Sequence, residues 1–63
     1  MSNEPNITGR GARWASEHDW FRSMHRLNGF ASPRYKIVVR DEQSTMGIRY
    51  FENFEALYAW AGY

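Results

Sequence analysis

His18 and His25, with Glu17 and Asp19 beside the first, are the side chains whose types could ligate a metal or move a proton. The histidines are seven residues apart. On a helix that spacing puts them on one face but about 10 Å apart along the axis, too far to share an ion without further ligands. The i, i+4 spacing of a zinc helix is absent, and Glu17, His18 and Asp19, being adjacent, diverge around a helix. No glycine-rich phosphate loop, nucleophile elbow or zinc pattern occurs. The expectation is therefore surface histidines and no catalytic residue, metal or cofactor, so no enzyme.

Two other groupings stand out. Arg34, Lys36, Arg40 and Arg49 are spaced to share the outer face of a β-hairpin, possible neighbours being Arg22 and Arg26, with Phe51 available for stacking. Such a ribbon could lie in a DNA groove or along a phosphate backbone. Its alternative is a solvated face of long side chains shielding apolar atoms. Against nucleic acid stand a net charge of +1, a pI of 8.2 and the carboxylates Asp41, Glu42, Glu52 and Glu55 nearby in sequence. The second grouping is the C-terminal stretch, where Trp60 falls outside the packing stripe and Tyr63 follows. Either Trp60 anchors a protein interface, with Tyr63, Arg22 and Arg26 around it, or it fills the gap between two helices and meets Trp14.

These residues need elements to position them. A helix is expected from a Ser16 cap to Asn28-Gly29, with Trp20, Phe21, Met24 and Leu27 on its apolar arc. RYKIVVR alternates, placing Tyr35, Ile37 and Val39 on one face. MGIRYF repeats the alternation, with Met46, Ile48 and Tyr50 expected to join that buried face. A final helix follows an Asn53 cap, packs through Phe54, Leu57, Tyr58 and Ala61, and ends at Gly62. The expected fold is a single α+β domain over residues 13–63, helix, β-hairpin, helix (α-β-β-α), with both helices on one face of an antiparallel sheet. Residues 1–12, polar and without periodicity, are expected as a flexible tail.

At 63 residues the chain is near the size at which folding without disulfides or metal becomes marginal, and eleven aromatics supply a compact core. Self-association to a homodimer would stabilise it further. No cysteine, no signal-peptide pattern and no apolar run of membrane-spanning length make the cytoplasm the expected location, with no membrane contact. Charge is uneven: residues 1 to 40 carry seven basic and three acidic groups, and residues 41 to 63 carry one and four.

The stretch YKIVVRDEQSTMGIRYFENFEALYAW resembles the sheet-then-helix layout of AP2-type and phage-integrase arm-binding domains. That resemblance implies a basic sheet that reads DNA, supported by an alanine-rich helix. It covers about twenty-five residues, lacks the third strand, and has a leading helix where those domains have none, so no site residue is carried over. In size, aromatic density and charge asymmetry the whole chain resembles small phage-encoded inhibitors such as anti-CRISPR proteins. It implies a non-enzymatic protein-binding module that blocks a surface of a host protein or complex. The expected function is that inhibitor or regulator, and the alternative is nucleic-acid binding through the basic hairpin.

Overall fold

The computed structural model describes residues 5–63. Five elements follow in the order α1 (Gly9–Ser16), β1 (Phe21–Leu27), β2 (Arg34–Arg40), β3 (Ile48–Phe51) and α2 (Phe54–Trp60). The three strands form one antiparallel sheet in the order β1-β2-β3. The fold is thus α-β-β-β-α, and the expected α-β-β-α order is corrected at its first helix. No helix among the described residues is long and apolar enough to cross a membrane.

The stretch expected as a helix after Ser16 is strand β1, and Ser16 ends α1 rather than capping a later helix. The cause is a bulge. Phe21 pairs with Val39 but Ser23 pairs with Val38, so Arg22 is the extra residue. The insertion returns Met24, opposite Ile37, to the same face as Phe21. A spacing of three on one face mimics helical periodicity, although the backbone is extended. β1 also gives β2, the most β-prone segment, a second hydrogen-bonded partner.

The helix instead forms upstream. Thr8 is its cap, and the Thr8 side chain accepts from the Gly11 amide at 3.4 Å. Ala12 and Ala15 are buried. Gly11 permits a close approach between helices, since a Cβ there would lie 3.2 Å from the Phe54 ring of α2. The expected tail thus falls partly on residues 1–4, outside those described, and over 5–12 the chain is packed. Ile7 is fully buried. Its carbonyl accepts from the Tyr35 amide at 2.9 Å, and the Asn6 amide donates to the Glu52 carbonyl at 3.0 Å. Residues 6 and 7 thereby prolong the sheet where β3 stops.

β3 is inverted relative to the sequence expectation. Phe51 pairs with Ile37 and Arg49 with Val39, so these two share the buried face, while Ile48 and Tyr50 lie opposite Arg40 and Val38 on the other face. Both parities of IRYF carry large apolar groups, so alternation alone does not choose. Phe51 decides it by packing against Trp60, with ring centroids 5.7 Å apart, and is only 6% exposed. Met46 lies before the strand and is 81% exposed.

α2 follows its Asn53 cap, whose side chain accepts from the Ala56 amide at 3.0 Å. At its end Gly62 has φ +96°, the left-handed region open to glycine. The Gly62 amide donates to the Ala59 carbonyl and the Tyr63 amide to the Tyr58 carbonyl, which is the Schellman pattern. The accompanying contact is between the Tyr58 and Tyr63 rings, 5.1 Å apart.

The core joins Ile7, Ala12, Ala15 and Leu57 to Ile37, Val39 and Phe51, with Trp14, Trp20, Phe21, Tyr35, Phe54 and Trp60 around it. All its β2 and β3 members lie on one face of the sheet. Both helices therefore cover that face, and the other is bare.

Candidate nucleic-acid interface

The bare face follows from strand alternation and pairing. From β1 it takes Ser23, His25 and Leu27, from β2 Arg34, Lys36, Val38 and Arg40, and from β3 Ile48 and Tyr50. Across the strands Ser23, Val38 and Tyr50 form a central row. His25 pairs with Lys36 and Leu27 with Arg34 toward one end, and Arg40 with Ile48 toward the other. No strand contains an aspartate or glutamate, so the face combines cations with apolar groups and has no carboxylate of its own.

Tyr50 is its principal aromatic group, 62% exposed. The Lys36 ammonium lies 5.2 Å from the centre of the Tyr50 ring, a cation–π arrangement that leaves the remaining donors of the ammonium to solvent or ligand. Beside it is a shallow groove of about 450 Å³ lined by Lys36, Val38, Met46, Ile48, Arg49 and Tyr50. Ser23 Oγ lies 3.1 Å from His25 Nε2.

The residues singled out in the sequence divide among three places. Arg34, Lys36 and Arg40 are on the bare face together. Arg49, opposite Val39, has the other parity; its guanidinium lies 5.0 Å from the Phe51 ring centre, although the residue also borders the groove beside Tyr50. Phe51 is core and has no free ring face for stacking. Arg22 occupies the β1 bulge, and Arg26, opposite Tyr35, is on the helix-covered side of the sheet. Trp60 is half-buried against Trp20 and Phe51, with centroids at 5.4 and 5.7 Å, so it fills a gap between α2 and the sheet rather than between two helices. Sequence reasoning missed Tyr50, Ile48 and His25 as members of the face. The available signal was the second parity of IRYF, which would have put Tyr50 beside Lys36.

On the helix side lies an aromatic assembly. The His18 ring stacks on Trp20 at 4.7 Å and 18°, and lies 4.4 Å from Trp14. His18 Nδ1 is 2.8 Å from the Trp14 carbonyl oxygen, which can only accept, so Nδ1 carries a proton. In the neutral ring Nε2 then accepts from the Tyr63 hydroxyl at 3.2 Å. Both ring nitrogens are thus engaged by the protein. His25 sits on the opposite side of the sheet, and among the described residues no three His, Cys, Asp or Glu side chains gather to hold a metal.

Between the helices a second groove, about 470 Å³, is lined by Asn6, Arg10, Trp14, Phe54, Glu55 and Tyr58 among others. Asn6 ties its floor. Its side-chain oxygen accepts from the Phe54 amide at 2.6 Å, and its amide nitrogen donates to Glu55 Oε2 at 2.8 Å. That donor, with the Glu55 backbone amide second, holds the Glu55 carboxyl below its ordinary value. No protein-family model, curated protein or solved structure matches the chain.

Proposed function

We propose that this chain is a non-enzymatic binding module whose ligand is nucleic acid, held on the bare face of the three-stranded sheet. One observation carries the reading: Arg34, Lys36 and Arg40, with His25, share a sheet face whose strands carry no carboxylate and which neither helix covers, the nearest carboxylates being Asp41 and Glu42 beside Arg40. Anionic backbones are attracted to such a face, and counterion release drives binding. Shape supports it too, since a sheet with helices on its back presents a broad surface to a groove or a strand.

The test is fluorescence anisotropy with labelled oligonucleotides, duplex and single-stranded. With the two permanent cations Arg34 and Lys36 engaged, affinity should fall about 7- to 12-fold between 50 and 200 mM salt. Lys36→Glu should greatly weaken binding, whereas Arg13→Glu, an equal charge change on α1, should have little effect. Equal losses from both would mean that net charge, not this face, attracts the ligand.

A second reading, the surface-blocking inhibitor, is favoured by the exposure of Met46, just before β3, together with Ile48 and Tyr50 on it. A patch of this kind suits a protein partner. On that reading no oligonucleotide binds at low salt, and Met46→Asp disrupts docking on a purified target while leaving the fold intact.

A further inference from the structure

We infer that the nucleic acid taken by this face is single-stranded, with an unstacked base laid on the Tyr50 ring and its neighbouring phosphates on Lys36 and Arg34. This rests on the nucleic-acid reading above and adds the form of the ligand. The argument is the distribution of polarity within the face. Its β3 edge is apolar: Tyr50 lies directly opposite Val38 of the central strand, with Ile48 two residues before Tyr50 on the same strand and Met46 beyond. The cations run beside that edge along the central strand, Lys36 and Arg34 with His25 across from Lys36 toward one end and Arg40 toward the other.

A duplex offers the reverse. Its base faces are hidden in the stack, and it presents phosphates and polar groove edges, with the thymine methyl the main apolar exception. Pressed against a duplex, Val38, Ile48 and Tyr50 would face polar groups or water. A single strand can turn its bases toward the apolar β3 edge while its backbone runs along the cations of β2, and stacking on an aromatic ring is largely independent of sequence. Tyr50 meets the requirement for such a platform. It is held by pairing to the central strand and is mostly exposed, and Lys36 Nζ, which lies over the ring at 5.2 Å from its centre, would give up that ring face to a stacked base and turn to the phosphate beside it. The carboxylates Asp41 and Glu42 in the β2–β3 turn oppose phosphate at the Arg40 end, so the backbone is steered toward Lys36, Arg34 and His25.

The experiment compares four probes of equal length by anisotropy at 50 mM salt: a thymidine strand, a uridine strand, an abasic deoxyribose-phosphate strand and a duplex. Each is titrated with the wild type, Tyr50→Ala and Tyr50→Phe, after circular dichroism confirms that the variants are folded. The two base-bearing strands should bind more tightly than the duplex. Tyr50→Ala should weaken them about ten- to hundredfold and Tyr50→Phe should retain most of the affinity. The abasic strand should bind weakly and show no response to Tyr50→Ala. A duplex that binds as tightly as the strands, or strands that bind Tyr50→Ala as well as wild type, overturns the single-strand inference while nucleic-acid binding stands. Failure of all four probes to bind overturns both.

Discussion

Ile7 gives the most direct test of where the domain begins. Its side chain is 0% exposed, inside the cluster formed by Ala12, Ala15, Ile37, Val39, Phe51 and Leu57. Removing one methyl by Ile7→Val should cost about 0.5–1.5 kcal/mol, the transfer of the methyl plus the small cavity left behind. For a domain of this size each kcal/mol moves Tm by about 4–8 °C, so the midpoint should fall by about 2–12 °C. Ile7→Ala removes more and should cost about 2–5 kcal/mol, comparable with the whole stability of so small a domain. Thermal melts followed by far-ultraviolet circular dichroism measure both. Met46→Ala serves as the control, since an exposed side chain away from any packing should change stability by no more than about 0.5 kcal/mol. If Ile7→Val and Ile7→Ala both melt with the wild type, the segment before α1 is not part of the core, and the burial argument collapses with it.

Other expectations follow from single contacts. Gly62→Ala puts a Cβ on a residue at φ +96° and should lower Tm by about 4–8 °C, from roughly 1 kcal/mol of left-handed strain. Near-ultraviolet circular dichroism should also weaken as Tyr63 leaves the Trp14 and Tyr58 rings; an unchanged spectrum would mean that the Schellman turn does not hold Tyr63. The Glu55 carboxyl is held below its unfolded value by Asn6, so its contribution is full above the unfolded pKa and is lost as pH falls through the lower folded one. Glu55→Gln should therefore flatten the acid limb of a Tm-against-pH curve, and parallel limbs for the two proteins would show that the Asn6 contact adds no stability.

The parts of the fold legible in the sequence are those whose signals are local and unambiguous. β2 alternates as read, Asn53 caps α2, and Gly62 ends it, because one residue type at one position determines each. The misreadings share a different cause. In β1 a bulge at Arg22 gives an extended chain the face spacing of a helix, and nothing local distinguishes the two; pairing with β2 does. In the GRGAR stretch two glycines weaken the helical signal of the arginines and alanine, yet Gly11 is required by the distance of closest approach to Phe54, a partner 43 positions away. The same tertiary logic governs the site. Arg34, Lys36 and Arg40 share a face because they alternate along β2, which the sequence alone shows. Tyr50 and Arg49 exchanged faces because the parity of β3 depends on which ring fits beside Trp60, and a sequence window cannot contain that fit.

The stitching of Asn6 and Ile7 into the far half of the chain has a consequence for synthesis. Their bonds run to Tyr35, Glu52, Phe54 and Glu55, so the contacts that bury Ile7 close loops of up to about fifty residues. On a translating ribosome, where residues emerge in order from the N-terminus, Ile7 must wait exposed until β2 and then α2 have appeared. The nascent chain therefore gains little from partial folding, and the native state forms in one late step once Leu57 can close over the sheet.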